Sequence, residues 1–214
     1  MPETTSPSRP SGARSARKRQ AILDAALQEF LANGYVGAGM DDVAAAAGAS
    51  KVTVYHHFTD KQGLFSAVIE SAIREAEVAS RALVEGLATS DDLPRDLRRF
   101  ARRHVATVTQ PHLVRLRRLI VAESRRFPHL ARAWHAAGPE KGHATLAAQI
   151  RQLSERGLLL APDPLLAAQH LNYLILSVPL NEALFTGRDR AYPAHRLNRW
   201  ADEAVRVFLA AYQP

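Results

Sequence analysis

Hydrogen-bonding side chains are concentrated between Lys51 and Lys61, where two lysines, two threonines, a tyrosine and two histidines lie close together. Their ammonium, hydroxyl and imidazole groups suit contacts to phosphates and to the edges of nucleic-acid bases. Lys61 stands where a helix is expected to begin, so its charge and the free amides of that helix end can hold one phosphate. The side chains expected on the exposed face are Lys51, Val52, Thr53, Tyr55, His56 and His57.

Two short helices joined at a glycine are expected to position these side chains. The apolar spacing of residues 40–47 predicts a helix of about two turns, and Ser50 can cap a second helix that runs to Phe58. Gly48, between them, can adopt the left-handed turn that other residues enter at a steric cost. Val54 and Phe58 anchor the second helix, which leaves its other face free to enter a major groove.

The chain before this motif divides into an arm and a first helix. Residues 1–14 combine Pro, Ser, Gly and Arg without apolar periodicity, which predicts a disordered basic arm. From Ser15 onward the apolar residues fall on one helical stripe that Gly34 ends. We therefore place the disordered arm at residues 1–14, the DNA-binding domain at residues 15–62 and a second helical domain at residues 63–214.

The rest of the chain keeps a helical period, with further helices predicted at 93–108, 113–123, 146–157 and 197–211. Residues 127–139 are expected to form a short helical turn between breaks, the second of them at Pro139. A long fourth helix, capped by Asp60, can continue to Gly86. Residues 163–184 are apolar on almost every face, so this helix should be covered on more than one side, and Pro179 should kink or shorten it. The predicted fold class is all-α, with an N-terminal three-helix DNA-binding domain that a long helix joins to a C-terminal helical ligand-binding and dimerisation domain.

Composition limits the class of protein. The 214 residues are 47% hydrophobic and 23% charged, as in ordinary globular proteins, and the absence of cysteine excludes disulfides and thiolate sites.

The net charge of +7 suits a polyanionic partner, but the excess positive charge lies beyond residue 60, in arginine-rich helices. We expect solvated helix faces for the arginines at 98, 99, 102, 103, 115, 117 and 118. No apolar run reaches the roughly 18 residues of a membrane span, so a cytoplasmic protein without membrane contact is expected.

The patterns of the common catalytic and metal sites are missing from the sequence. The nine histidines include no HExxH arrangement, and the adjacent His56 and His57 point in different directions on a helix. Neither a GxSxG nucleophile turn nor a phosphate-cradling glycine loop occurs. We therefore expect no enzyme, no bound metal and no cofactor.

Residues 17–70 resemble the TetR/AcrR family of bacterial regulators, in which a basic first helix leads into a pattern of the form GYxxxxMxDIAxxAGxSxxTxYxxFxDKxxLF. The positions of this chain that match are Gly34, Tyr35, Met40, Asp42, Val43, Ala44, Ala47, Gly48, Ser50, Thr53, Tyr55, Phe58, Asp60, Lys61, Leu64 and Phe65. The chain departs from the pattern at Gly39, where the family often has Ser or Thr, and at Val52, where Gly, Ala or Pro is usual. These departures affect individual operator contacts rather than the motif.

The resemblance implies roles in DNA binding for the matching residues. In the family, the threonine, tyrosine and lysine of the pattern contact phosphates, and the variable positions of the recognition helix read the base sequence. The phosphate contacts implied here are those of Thr53, Tyr55 and Lys61, and the reading positions are Lys51, Val52 and His56. We also expect Arg17, Met40 and His57 among the DNA-binding residues.

The segment 115–141, followed by a helix that ends in RGLL and by an aspartate-proline helix start, resembles an AcrR-type C-terminal regulatory domain. The resemblance implies that residues 63–214 form a regulatory, ligand-binding and dimerisation domain, with a pocket between helices and a two-helix dimer interface. The pocket candidates are Phe100, His104, Leu116, Ile120, Trp134 and Asn172. The interface candidates are Leu171, Leu174, Ile175, Val178, Trp200, Val207 and Phe208. Two alternatives stay open: the pocket candidates are ordinary core residues, and residues 163–184 are buried within one protomer.

The sequence therefore predicts a transcriptional regulator, most simply a repressor, that binds a palindromic operator in double-stranded DNA as a homodimer. A small-molecule effector, at least partly apolar, would change the separation of the two reading heads through the fourth helix. The competing classes are a non-specific architectural DNA-binding protein, a helical ligand-binding protein without DNA activity, and a cryptic enzyme. Salt-matched competition between a palindrome and random DNA separates the first of these from a specific regulator.

Overall fold

Helices are the regular elements of the described residues, which comprise 11–84, 86–187 and 190–214 of this computed structural model. The first four are α1 (Ser11–Gly37), α2 (Met40–Ala46), α3 (Lys51–Phe58) and α4 (Lys61–Val84). A 3-10 turn (Leu87–Thr89) precedes α5 (Leu93–Val108), α6 (Pro111–Ala122) and α7 (Pro128–His135), and a π turn (Ala136–Glu140) precedes α8 (Lys141–Glu155), α9 (Pro164–Phe185) and α10 (Ala194–Tyr212). The predicted all-α fold class is confirmed.

The chain divides into two compact units, the first ending at Ser71 and the second beginning at Ala72. This division falls inside α4, later than the domain boundary after residue 62 that the sequence suggested. Each unit has its own set of buried apolar side chains.

The first helix starts earlier than expected. α1 begins at Ser11, so residues 11–14 of the predicted disordered arm are helical, while the arm's residues 1–10 lie outside the described residues. Residues 13–20 are alanine, arginine, lysine, glutamine and one serine, most of which favour helix, and this explains the extension. Gly34 has φ 68° and ψ 176°, which interrupts the helix where the sequence predicted its end.

The first unit encloses an apolar core beneath its short helices. The predicted stripe of Ile22, Ala26 and Phe30 is at most 1% exposed. The Phe30 and Phe65 rings meet edge to face with centroids 5.0 Å apart, and Tyr35 lies at the same distance from Phe65. This aromatic contact holds α1 against the first turns of α4.

The second unit is a helical bundle in which α10 packs against α5 and α9, while α8 also packs against α9. Its core includes Leu97, Phe100, Ile150, Leu171 and Phe208. The start of α9 is capped as the sequence suggests, because Asp163 accepts hydrogen bonds of 3.0 Å from the amides of Leu165 and Leu166.

The later helices differ from the sequence expectations in three respects. α9 continues through Pro179 to Phe185 instead of being shortened, and the segment predicted to break at Pro139 is a π turn that runs on into α8. α9 is also not covered on several sides within the protomer. One face is buried, but Tyr173, Val178 and Phe185 on the rest of its surface are 57%, 55% and 85% exposed.

Candidate DNA-binding face and buried polar cluster

A left-handed glycine sets the angle between α2 and α3. Gly48 has φ 57°, and the amides of Gly48 and Ala49 donate to the carbonyls of Ala45 at 3.1 Å and Ala44 at 2.9 Å. From α1, Lys18 Nζ donates to the Gly48 carbonyl at 2.8 Å, a contact that sequence analysis missed. The backbone groups at the end of α2 are therefore paired, which fixes the turn that orients α3.

α3 is capped and anchored as the sequence predicts. The Ser50 side chain accepts a hydrogen bond from the Thr53 amide at 3.1 Å, and the Ser50 and Thr53 hydroxyl oxygens lie 2.8 Å apart. Val54 and Phe58 are 0% and 5% exposed. These two side chains bury the inner face of the helix, so its outer face points away from the core.

The turn after α3 depends on a glycine that sequence analysis did not single out. A Cβ atom on Gly63 would lie 2.5 Å from the Phe58 carbonyl oxygen, closer than real Cβ contacts come. Asp60 Oδ1 accepts from the Gly63 amide at 2.7 Å, so Asp60 caps α4 as predicted. Thr59, between Phe58 and Asp60, has φ 61°, a conformation that β-branched residues rarely adopt. The signal in the sequence is the glycine three positions after the capping aspartate.

The outer face of α3 carries both apolar and hydrogen-bonding groups. Val52 is 79% exposed and Tyr55 is 39% exposed. Lys51 and His56 are also exposed, and Thr53 and His57 are half-buried. Such a face presents methyl groups, a phenol and ring nitrogens of the kind that contact base edges and phosphates.

Two lysines at the ends of this face are held in position by local partners. Lys51 Nζ lies 2.8 Å from Asp41 Oδ1, and the hydrogen bond to Asp41 raises the pKa of Lys51, which keeps it charged. Lys61 Nζ donates to the Val36 carbonyl at 3.0 Å and lies 5.1 Å from the centre of the Tyr35 ring. A phosphate would have to compete with or join these contacts.

The remaining predicted DNA-binding residues lie on α1 and α2. Arg17 is exposed, and its Nε donates to the Ala13 carbonyl at 3.3 Å. Met40 is half-buried at the first position of α2. Gly39 gives this helix no side-chain cap, but its amide donates to Glu29 Oε1 at 3.3 Å.

In the second unit, three of the predicted pocket residues come together. His104 Nε2 and Asn172 Oδ1 lie 2.9 Å apart, and the Phe100 ring stacks on His104 with centroids 5.4 Å apart. Burial lowers the pKa of His104, although the hydrogen bond to Asn172 opposes this effect, so the ring is neutral at neutral pH. The other ring nitrogen, Nδ1, is buried with no hydrogen-bond partner in the described part of the chain.

The other three pocket candidates are not shown beside His104. Leu116 and Ile120 are buried but lie outside the apolar cluster that contains Phe100. Trp134 is half-buried on α7.

The arginines of α6 overturn the expectation of solvated helix faces. Arg115, Arg117 and Arg118 are half-buried, in contrast to the exposed arginines at 98, 99, 102 and 103 of α5. Arg118 donates to the Leu184 carbonyl at 3.0 Å and also to the carbonyl of Ala183, so it pairs with the end of α9. Arg117 has a buried Nη1 without a partner among the described residues. Because α6 packs against α9, protein covers part of each of these side chains.

The interface candidates fall into two groups. Leu171, Ile175 and Phe208 are 0% exposed and belong to the protomer's own core, so they cannot contact a partner directly. Leu174, Val178 and Val207 are 38%, 55% and 37% exposed, and Trp200 is partly buried against the core. The sequence could not separate the two groups because α9 is apolar on almost every face.

Neither a metal cluster nor a bilayer span is found in the described ranges. No three His, Cys, Asp or Glu side chains there come together as metal ligands would. None of the described helices combines the length and apolarity needed to cross a membrane.

A recognition-type helix fixed behind a glycine turn and followed by a separate helical unit defines the class of helix-turn-helix regulators. Comparison with known families agrees. The family described as bacterial regulatory proteins, tetR family, matches residues 22–68, and the AefR-like transcriptional repressor C-terminal domain matches residues 95–214. The chain belongs to the TetR family of transcriptional regulators and carries an AefR-like C-terminal domain.

Among curated relatives, the chain is 28% identical over 173 residues to the transcriptional repressor SCO4008 of Streptomyces coelicolor, covering 78% of this chain and 83% of that protein. It is 42% identical over 77 residues to the repressor AcnR of Corynebacterium glutamicum. That second match covers 35% of this chain and spans only 41% of AcnR.

Solved structures are similar over nearly the whole chain. A TetR-family regulator from Mesorhizobium loti superposes with a TM-score of 0.87 at 40% identity, covering 94% of this chain and 99% of that one. The flavonoid-responsive regulator FrrA has a TM-score of 0.71 at 32% identity, covering 93% of this chain and 98% of its own.

Proposed function

We propose that the protein is a cytoplasmic, ligand-responsive repressor that binds a palindromic operator as a homodimer. The observation that carries the proposal is the outer face of α3, where Val52 and Tyr55 are exposed beside hydrogen-bonding side chains while Val54 and Phe58 fix the helix from behind. Two of the curated relatives, SCO4008 and AcnR, are repressors, which supports this direction of regulation. Neither catalysis nor a cofactor is needed for this function.

Each α3 would enter a major groove. Lys51, Val52 and His56 would meet base edges, Thr53 and Tyr55 would meet phosphates, and Lys61 would hold a further phosphate at the start of α4. Arg17, Met40 and His57 would add contacts at the margins. Lys51 and Lys61 already have local partners, so their long side chains are partly ordered in the free protein. Binding DNA would therefore cost less side-chain conformational entropy.

A dimer would align two such faces with one operator. The exposed apolar residues Tyr173, Leu174, Val178 and Phe185 lie on α9, and Val207 lies on α10. A two-fold pairing of α9 and α10 would cover this surface and would make the operator a palindrome. The proposed interface leaves out Leu171, Ile175 and Phe208, which the protomer already buries.

An effector would bind in the second unit at the cluster that contains Phe100, His104 and Asn172. A ligand with different affinities for the DNA-bound and free arrangements of the dimer would shift the equilibrium between them. The flavonoid-responsive FrrA supports a regulator that answers to a small molecule with an apolar body.

The test begins by selecting bound fragments from genomic DNA and measuring the affinity for the selected palindrome against random DNA at the same salt concentration. The double variant Tyr55→Ala/Lys61→Ala should lose at least about a hundredfold in specific affinity, because four contacts are removed per dimer. It should still unfold cooperatively as a dimer. His112→Ala, a change at an exposed position of α6, serves as the matched control.

Equal affinity for the palindrome and random DNA would instead support a non-specific architectural protein. Full specific affinity of the double variant would overturn the roles given to Tyr55 and Lys61.

A further inference from the structure

The most unusual charged group in the second unit is Arg117. Its guanidinium Nη1 is enclosed by protein, and burial lowers the pKa of Arg117. No carboxylate among the described residues forms an ion pair with it, whereas Arg102 of α5 makes two 2.7 Å hydrogen bonds to Asp202. An enclosed cation without a counter-charge is costly, so such groups are rare unless something pairs with them.

The groups around Arg117 are also poor in negative charge. His104 is near enough for the charge of Arg117 to lower the pKa of His104, after the larger effect of burial, and His143 acts on it in the same direction. His143 is 7% exposed, and its Nε2 is buried without a hydrogen-bond partner in the described chain. The acid that acts on His143 is Glu140, and its Oε1 lies 3.0 Å from exposed His135.

These side chains come from four helices that converge within one unit. Arg117 lies on α6, His104 on α5, His143 on α8 and Asn172 on α9. Aromatic rings flank the polar groups, because Phe100 stacks on His104 and the Tyr173 ring lies 5.6 Å from His143. Unused polar atoms of His104 and His143 therefore adjoin apolar ring surface.

We propose that the effector is an organic acid with an apolar body, whose carboxylate pairs with Arg117 and accepts a hydrogen bond from the unpartnered Nε2 of His143. This inference rests on the proposed function only in calling the bound acid an effector. A planar guanidinium can present two parallel N–H donors to a carboxylate, which an ammonium cannot do. The apolar part of the acid would lie against the rings of Phe100 and Tyr173.

A structural role for Arg117 makes a different prediction. If its side chain only packed against its neighbours, an acid and its uncharged amide would bind alike. If Arg117 instead pairs with the carboxylate of a ligand, replacing the acid by its amide should remove most of the affinity. The guanidinium would then remain enclosed without a counter-charge.

The experiment measures thermal unfolding of the 214-residue protein without DNA, with matched acid and amide pairs at equal concentration near neutral pH. The probes are benzoate and benzamide, naphthoate and naphthamide, and octanoate and octanamide. At least one acid should raise the melting temperature, and its amide should bind at least about tenfold more weakly. The variant Arg117→Met should lose this preference for the acid. Arg117→Lys should retain part of it, because lysine keeps the positive charge but lacks the two parallel N–H donors of the guanidinium.

Arg103→Met, the same change at an exposed position of α5, should bind the acid as the natural chain does. If Arg117→Met does not fold, the acid-to-amide ratio of the natural chain and the result for Arg117→Lys still decide the question. The proposal is overturned if no acid of the panel raises the melting temperature, or if amides bind as well as acids. Because DNA is absent from the assay, failure of operator binding would leave this result unaffected.

Discussion

The candidate sites of the two units hold positive charge in opposite ways. In the first, Lys51 and Lys61 lie at the surface with local oxygen partners, at 2.8 Å from Asp41 and 3.0 Å from the Val36 carbonyl. In the second, the guanidinium of Arg117 is partly enclosed and has an unpartnered Nη1 within the described chain. Solvated charges suit a polyanion that exchanges many weak contacts with counterions, whereas an enclosed charge suits one small anion held tightly.

The largest effect that tests this contrast is the response to salt. Raising the salt from about 50 to about 200 mM should weaken operator binding by about a hundredfold or more, because phosphate contacts release condensed counterions. The same change should alter acid binding in the second unit by less than about threefold, because partly buried pairs are screened far less. Both affinities can be measured by titration on one preparation. Equal salt dependence at the two sites would remove the contrast.

A smaller effect concerns the support of α3. Gly63→Ala should destabilise the first unit by about 1–3 kcal/mol, because the new Cβ would meet the Phe58 carbonyl and the backbone would have to move. The melting temperature and the affinity for the operator should both decrease. The control is Gly12→Ala, a helical position with no neighbouring atom within 4 Å, which should be neutral or slightly stabilising. A stable Gly63→Ala protein with full affinity would contradict the close approach.

The response to pH tests the buried cluster. Burial lowers the pKa of His104 and of His143 in the folded protein, below the ordinary value of 6.5. Below pH 6.5 the unfolded chain therefore binds protons that the folded chain does not. The contribution of the two histidines to the free energy of unfolding is complete well above that pH and is lost progressively as the pH falls. The slope should not exceed about 1.4 kcal/mol per pH unit for each histidine.

Urea unfolding at a series of pH values from neutral to mildly acidic measures this slope. His104→Gln should flatten the profile, since the groups that face His104, namely Arg117, His143 and Asn172, would then face a side chain that does not titrate. His112→Gln at an exposed position should leave the profile unchanged. An unchanged profile in His104→Gln would show that the ring is not held in its neutral form.

The smallest effect is expected at Gly39. Gly39→Ser would supply the side-chain cap that α2 lacks, and the added Cβ would meet only the flexible end of the Asp42 side chain. The free energy of unfolding should change by no more than a few tenths of a kcal/mol, the difference between glycine and serine at this position. By contrast, Gly48→Ala places a Cβ at φ 57° and should cost about 1–2 kcal/mol. Similar costs for both changes would contradict the assigned turn.

The sequence predicted most of the first unit because its features are local. Ser50, Gly48 and the anchors Val54 and Phe58 all lie within one short stretch, where spacing alone determines which face is buried. The contact between Gly63 and the Phe58 carbonyl was missed because it depends on the path of the backbone through the turn. The helix at residues 11–14 was missed because a polar, basic composition is also typical of disordered arms.

The second unit was less predictable because its cluster is assembled from distant positions. Arg117 lies three residues after Val114 and three before Ile120, both buried, so the sequence did place it on an apolar stripe of α6. Arginine at such a position usually extends its charge to water, and only the packing of α6 against α9 shows that it does not. Likewise, the uniform apolarity of α9 could not distinguish buried Leu171 from exposed Val178.

The most direct test of the central claim is photo-crosslinking from position 52, whose side chain is 79% exposed on α3. A protein with benzoylphenylalanine in place of Val52 should crosslink to bases at two symmetric positions of the selected operator. The same substitution at Val121, which is 64% exposed in the second unit, should give no specific crosslink. Absence of operator crosslinks from position 52, or equal crosslinking from both positions, would contradict the assignment of α3 as the DNA-reading helix.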